Sequence, residues 1–235
     1  MSDFRELVAS RKMVRAFRND SIDRELFARL VDTASRSPSA GKTQGWSLLA
    51  LEGPATETFW SATMSGETRS EFRWKHLFAA PMIVLSFADP QAYLDRYAEP
   101  DKSRAASVAP PNESRAASVA PPNASRAESR PGLGESLDAW PTPYWTVDAS
   151  FATMTLLLAA HDAGLGALFF GVFRGEDELR RALGVPARLQ LIGAIALGYE
   201  RTPTEPETDD PAFARGLSAG RRRATAEEII HYGAW

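Results

Sequence analysis

Leu189–Tyr199 reads LQLIGAIALGY, and this apolar run decides the fold class because it predicts a buried β-strand. Met82–Ala88 (MIVLSFA) predicts another buried strand, and Pro81 before it suits a strand start. Two shorter apolar runs are typical of further strands, Trp46–Leu51 and Ala167–Phe173.

Helical patterns separate these strands. Phe4, Leu7 and Val8 form an apolar stripe that predicts a first helix ending near Ser10. A second helix is predicted to begin at a Ser21 cap and to stop at Ser37-Pro38. Its predicted inner face consists of Leu26, Phe27, Leu30, Val31 and Ala34.

Further helices are predicted beyond the second one. Ala55–Ala79 has helical character, and Glu176–Leu183 predicts a short helix. The longest candidate is Val147–Ala163, which we expect Gly164 to terminate. Strands that alternate with helices indicate an α/β or α+β layered fold. In the longest helix we expect four side chains to pack inward: Phe151, Met154, Leu157 and Leu158.

The composition is that of an ordinary globular protein, with 44% of the 235 residues hydrophobic and 24% charged. A formal net charge of −3 with interspersed charges argues against nucleic-acid and membrane partners. The absence of cysteine excludes disulfides and thiolate chemistry, and His76, His161 and His231 lack ligand spacing, so we expect no metal. The N-terminus lacks a signal-peptide core and no apolar run approaches the roughly 20 residues of a membrane span, so we expect a cytoplasmic location.

A Pro/Ala/Ser repeat interrupts the pattern. Ser103–Asn112 reads SRAASVAPPN, Ser114–Asn123 repeats it letter for letter, and a partial copy runs from Ser125 to Ser129. Such a repeat buries little, so residues 100–136 are predicted to be a mobile low-complexity insertion. It is either a duplication tolerated in a surface loop or a lid over a cleft.

Two basic clusters are candidates for binding an anion. Arg11, Lys12, Arg15 and Arg18 follow the first helix, and Arg221–Arg223 lies near the C-terminus. Guanidinium groups suit a dianionic phosphate because they donate in pairs and stay charged. From the charges alone, solvated surface, another phosphorylated ligand and a protein partner remain alternatives.

Five segments, in the same order, resemble motifs of the nitroreductase family. Residues 10–17 (SRKMVRAF) are similar to its flavin-phosphate motif, and residues 37–46 (SPSAGKTQGW) to its second motif. The resemblance implies one α+β domain over residues 1–235, built as a three-layer α/β/α sandwich with a central mixed sheet. It also implies a homodimer with an extended C-terminal arm, residues 203–235. The other three segments are 164–171 (GLGALFFG), 191–199 (LIGAIALGY) and 221–235 (RRRATAEEIIHYGAW).

The resemblance implies FMN as the cofactor and assigns residues to it. Arg11 and Arg15 would bind the phosphate beside Lys12 and Met13, and Arg222, with Arg221, would close it from the other side. The Gly171 N–H would bond flavin N5 next to Phe170. Along the isoalloxazine and ribityl chain would lie Pro38, Ser39, Ala40, Lys42 and Gln44, partly supplied by the partner subunit.

Three positions depart from the family pattern. Met13 replaces a serine and cannot donate a hydrogen bond to phosphate. Lys42 replaces an asparagine near the flavin pyrimidine, where a cation would stabilise negative charge on the reduced ring or simply face solvent. Gly45 replaces a proline.

Residues 140–145 (WPTPYW) are unusually aromatic and precede the longest helix. They are either a packed loop that anchors the helix or an aromatic wall that stacks planar acceptors. In the second interpretation Trp140, Tyr144 and Trp145 line the substrate pocket. Phe72, Trp74 and Phe170 would add to this wall.

The function implied by the resemblance is FMN-dependent NAD(P)H oxidoreduction. NAD(P)H would act as a transient reductant, and nitroaromatic, quinone or similar planar acceptors would react in a ping-pong cycle without an obligatory catalytic side chain. Two alternatives remain: FMN sequestration without turnover, and a flavoenzyme using another reductant or reaction, such as a deazaflavin donor or reductive dehalogenation.

Gly164-x-Gly166 lies after a predicted helix and before a predicted strand, which is the reverse of the order in a dinucleotide-binding fingerprint. We therefore reject a dinucleotide-binding motif at these glycines.

Overall fold

The computed structural model describes residues 3–105, 131–204, 213 and 220–234. The predicted insertion falls largely on residues 106–130, which lie outside the described residues. Its flanks are described. Pro100–Ala105 is helical, and a Cβ added at Gly134 would lie 2.5 Å from the Ala98 nitrogen, so this flank packs tightly against its neighbour.

The centre of the fold is a four-stranded sheet with the order β1-β2-β4-β3, in which each adjacent pair is antiparallel. The four predicted strands are confirmed. β3 stops short of the predicted Phe173 because its ladder with β4 ends at the Phe170–Ala194 pair. The strands are β1 (Trp46–Glu52), β2 (Met82–Ala88), β3 (Gly166–Phe170) and β4 (Gln190–Gly198).

The N-terminal segment extends this sheet beyond β3. Met13 forms an isolated parallel bridge with Ala167, and the Val14 N–H donates to the Ala167 carbonyl at 2.9 Å. Among the described residues, the expected mixed character of the sheet is confined to this bridge. Farther on, Phe17 bridges Glu200 just after β4, so residues 11–18 are fixed to the sheet at two points.

Helices α1 and α2 (Phe4–Ser10 and Arg24–Ala34) confirm the first two predicted helices. The predicted Ser21 cap is wrong, because the Asp23 side chain accepts the N–H of Glu25 and caps α2. Residues 55–79 are not one helix. They form α3 (Thr56–Thr63), α4 (Gly66–Glu71) and a 3₁₀ turn (Lys75–Ala79), because Met64 and Phe72 adopt extended backbone angles.

The sequence reading missed two helices, α5 (Pro90–Ala98) and α6 (Pro100–Ala105). The signal for α5 was present, since Asp89 caps the Gln91 N–H and Pro90 occupies the first turn. Three later helices are α7 (Tyr144–Asp162), α8 (Glu176–Leu183) and α9 (Ala226–Ile229). Gly164 follows α7 with φ 77°, which confirms it as the stop.

Helices cover both faces of the sheet and confirm the three-layer sandwich. On one face, α3 and α8 bring Phe59, Trp60 and Leu179 against the sheet. On the other, α2 and α7 contribute Leu30 and Leu156. β2 lies between the layers and is buried along its whole length.

The direction of α7 corrects one expectation. Leu157 is buried as predicted, but Phe151 is 48% exposed and Met154 40% exposed. The buried stripe of α7 instead runs through Ala152, Leu156 and Ala160, on the opposite side of the helix.

Candidate functional site

The N-terminal basic segment borders a small cavity at the start of β3. Arg11 and Lys12 line this cavity of about 150 Å³ together with Val14, His161 and Gly166. The Arg11 Nε is buried and has no hydrogen-bond partner among the described residues. A guanidinium donor without an acceptor is costly in a protein interior, so the site suits an anion.

The neighbouring cations have partners. The Lys12 ammonium lies 2.7 Å from the Glu200 carboxylate in an exposed ion pair. The Arg15 Nη1 donates to the Met13 carbonyl at 3.0 Å, and its guanidinium lies 5.1 Å from the centre of the Trp74 ring. Burial lowers the pKa of Arg15. Arg11 therefore differs from both neighbours in having an unpartnered donor.

His161 is partly buried near the end of α7. It lies beside Arg11 in the cavity, and its Nε2 is 2.9 Å from the Ser10 Oγ. This contact joins the end of α1 to the end of α7, which fixes one wall of the cavity.

The predicted flavin loop, residues 38–44, has an unusual backbone. φ is positive at Gly41 (62°), Lys42 (56°) and Gln44 (51°), and only glycine adopts such values without strain. The Ser39 Oγ accepts the Gln44 N–H at 3.0 Å, and the Gln44 Nε2 donates to the Ser35 carbonyl at 2.7 Å. The side chains of Pro38, Lys42 and Gln44 are exposed, so the loop presents polar groups from a fixed backbone.

A buried carboxylate, which the sequence reading did not select, holds this loop from α7. Asp148 accepts the Ala40 N–H at 2.8 Å and the Tyr93 hydroxyl at 2.7 Å, both through Oδ2. Burial, followed by the hydrogen bond to Asp148, raises the pKa of Tyr93 well above its usual range. The available signal was one acidic residue inside an otherwise apolar helical stretch.

Phe170 and Gly171 lie at the end of β3. The Phe170 ring is stacked parallel to Trp60, with centroids 6.2 Å apart. A Cβ added at Gly171 would lie 2.7 Å from the Cζ of Phe173, whose ring is 94% exposed. The Phe173 ring thus lies close over the backbone of Gly171.

The aromatic residues 140–145 form part of a packed cluster. Trp140 and Trp145 are buried against Tyr93, and their indole N–H groups donate to the Leu133 carbonyl and to Gln190 Oε1. Tyr144 is 41% exposed and touches Trp140 edge-on. Phe72, Trp74 and Phe170 pack instead with the α3 side of the sheet, so the predicted aromatic wall is divided between two clusters.

The C-terminal cations Arg221 and Arg222 are not among the described residues that line the Arg11 cavity. Arg222 donates to both carboxylate oxygens of Glu228, and this pair with the Thr225 backbone N–H lowers the pKa of Glu228 to about 2. Arg221 is exposed.

The described residues contain neither a membrane-spanning helix nor a metal-binding group of side chains. No described helix is long and apolar enough to cross a bilayer. Across residues 3–105, 131–204, 213 and 220–234, no group of three or more His, Asp or Glu side chains is placed to hold a metal ion.

Known proteins share both the sequence pattern and the fold. The model of the nitroreductase family matches residues 8–110 and 135–199. The NADH dehydrogenase of Thermus thermophilus is 24% identical over 201 residues, which cover 84% of this chain and 86% of that protein. A candidate NADH dehydrogenase/NAD(P)H nitroreductase of Archaeoglobus fulgidus is 35% identical over 68 residues, 28% of this chain. The chain spans only 39% of that relative's length.

A solved structure supports the fold. The candidate nitroreductase from Exiguobacterium sibiricum, crystallised in complex with FMN, has a TM-score of 0.58 and 17% identity, and the match covers 99% of this chain and 98% of that one. The family match extends from the N-terminal basic segment to the end of the sheet. The chain therefore belongs to the nitroreductase family.

Proposed function

We propose that this chain is an FMN-dependent NAD(P)H oxidoreductase that reduces nitroaromatic, quinone or similar planar acceptors by a ping-pong cycle. The observation that carries the proposal is Arg11, which lines a cavity together with Lys12 and whose buried Nε has no hydrogen-bond partner among the described residues. This donor set fits a phosphate group. The FMN complex of the Exiguobacterium protein and the names of the Thermus and Archaeoglobus relatives support the same chemistry.

The residues that would hold FMN lie in three places. Arg11 would donate to the phosphate, with Lys12 adding positive charge and Arg15 held back on Trp74. The 38–44 loop would contact the ring and ribityl chain through Ser39, Lys42 and Gln44. At the end of β3, the Gly171 N–H would face the ring. When bound, FMN supplies the hydride chemistry, and the chain's residues orient it and shield it from water.

A homodimer is part of this proposal, and the outer face of α7 supports it. Apolar residues occur all around this helix, so it lacks the polar face that is typical of a helix with one side in solvent. Tyr144, Phe151 and Met154 nevertheless lie exposed on one face of the single chain. A second copy of the chain would cover them. In the arm, Ile229, Ile230 and Tyr232 are exposed apolar side chains of the same kind.

The test is FMN binding by the full chain and by an Arg11→Ala variant. A hydrogen bond to a charged group contributes about 1.5–3 kcal/mol, so we expect FMN affinity to fall roughly 10-fold to 150-fold. Arg24→Ala is the matched control, because Arg24 pairs with Glu52 at the surface. Fluorescence titration of FMN measures both variants.

Two results would overturn the proposal. If the wild-type protein binds no FMN, FMN is not its cofactor. If the Arg11 and Arg24 variants bind FMN with equal affinity, Arg11 does not bind the phosphate. Stopped-flow mixing of the loaded protein with NADH and NADPH tests turnover. Flavin absorption that does not bleach with either would support sequestration instead.

A further inference from the structure

Asp148 is a charged group in the apolar interior, and its partners define its role. The side chain is 3% exposed, and both groups that donate to its Oδ2, the Ala40 N–H and the Tyr93 hydroxyl, are neutral. A buried carboxylate costs free energy unless donors satisfy it. The free-energy cost of burying Asp148 is therefore offset by its two contacts, one with the 38–44 loop and one with α5.

Gly45 makes the second contact possible. A Cβ at Gly45 would lie 2.6 Å from the Cε2 of Tyr93, closer than side-chain atoms approach one another. Glycine at this position lets the fully buried Tyr93 ring pass the loop and reach Asp148. The departure of Gly45 from the family's proline thus has a structural reason.

The loop that Asp148 holds has a strained backbone. Lys42 and Gln44 have positive φ values, which cost free energy in residues other than glycine. The Arg96 Nε fixes the far side of the loop by donating to the Gly41 carbonyl at 2.9 Å. Asp148 fixes the near side at Ala40, from the same helix whose outer face carries Phe151 and Met154.

We propose that Asp148 is a positioning residue that holds the 38–44 loop in the conformation that contacts the flavin. The inference rests on the proposed function for the identity of the ligand and on the described contacts for the placement of the loop. Because Asp148 lies on α7, it ties the loop to the helix that would form the dimer interface.

The test compares Asp148→Ala, Asp148→Asn and Tyr93→Phe in the full chain. Asp148→Ala leaves the Ala40 N–H without its acceptor, so we expect hydrogen exchange of amides 39–45 in FMN-free protein to rise about tenfold. We expect FMN affinity to fall by a similar factor. Asp148→Asn keeps an acceptor oxygen and should restore both quantities to within about threefold of wild type.

Thr153→Val is the matched control. Thr153 is buried on the same helix and hydrogen-bonds Ser86 at 2.9 Å, away from the loop. We expect this variant to lower the thermal midpoint without changing loop exchange or FMN affinity. If Asp148→Ala does not fold, Tyr93→Phe tests the other hydrogen bond of Asp148, and we expect a smaller rise in loop exchange.

Each remaining result decides between the two proposals. If loop exchange and FMN affinity in the Asp148 variants only follow global stability, as in Thr153→Val, the positioning role is wrong. If wild type binds no FMN but Asp148→Ala still releases the loop, the proposed function fails while the placement of the loop by Asp148 stands.

Discussion

Arg222 and Glu228 form an ion pair, and each of them also has a second role, one observed and one predicted. The Glu228 carboxylate also accepts the Thr225 N–H and completes the capping box of α9. The Arg222 guanidinium is one of the groups predicted to close the FMN phosphate. Because the pair is exposed at the surface, a bound phosphate dianion would compete effectively with Glu228 for Arg222.

The Glu228→Gln variant tests this competition. Glutamine keeps the capping box but removes the charge that holds Arg222, so we expect FMN affinity to rise about twofold to threefold at neutral pH. The wild-type pair has a defined pH dependence. Because the pKa of Glu228 is lowered to about 2, the pairing is complete above the ordinary value of 4.5 and is lost as pH falls toward 2.

Glu227→Gln provides the comparison, since Glu227 is the exposed neighbour on the same short helix. Isothermal titration with FMN measures all three proteins. Equal affinities of the two glutamine variants would mean that Arg222 does not reach the phosphate.

Among single residues, the sequence predicted the chemistry better than the partners. The basic character of residues 11–15 was evident, but their order gave no means to see that Arg15 packs on Trp74 while Arg11 lines a cavity. Asp148 was overlooked because its importance comes from Tyr93 and Ala40, which are distant in sequence and meet it only in the folded chain.

Helix α7 shows what periodicity can and cannot determine at the level of elements. Its length and its Gly164 stop were predictable from apolar content and turn chemistry. Its orientation was not predictable, because apolar residues occur all around the helix and no polar face marks the solvent side. Phe151 and Met154 were placed inward for this reason, although they lie opposite the buried stripe.

Met154→Glu tests whether the outer face of α7 is the dimer interface. A carboxylate at the centre of an apolar interface loses its water without gaining a partner, so we expect the dimer to dissociate and FMN affinity to fall with it. Light scattering with in-line absorbance at the flavin band measures both. A glutamate placed on another layer, in Arg181→Glu on α8, should leave the dimer intact; a dimeric Met154→Glu protein would place the interface elsewhere.

For the molecule as a whole, the strands could be identified but their order could not. Four apolar runs mark the strands, yet nothing in them states that β4 lies between β2 and β3. The arm was predicted from its prolines and from the resemblance. None of the described residues from 203 onward is buried, and the arm stays a prediction.

Removal of residues 203–235 tests the arm. Within the part of the chain that the structure describes, the buried residues all lie before residue 200, so we expect the thermal midpoint to change by no more than about 4 °C while dimer stability and FMN affinity fall. Calorimetry and sedimentation measure these quantities. The double variant Arg221→Ala/Arg222→Ala separates the charge of the arm from its apolar contacts, because it should weaken FMN binding and leave the dimer intact.

The position of β4 between β2 and β3 also affects how the chain folds during its synthesis on the ribosome. β2 pairs with β1, which precedes it closely, but its other edge waits for β4, about a hundred residues later. At about 5–20 residues per second, synthesis of that stretch takes roughly 5–20 s. During this time a strand that is apolar except for Ser86 offers a free edge to other nascent chains, which favours aggregation until β4 emerges and pairs with it.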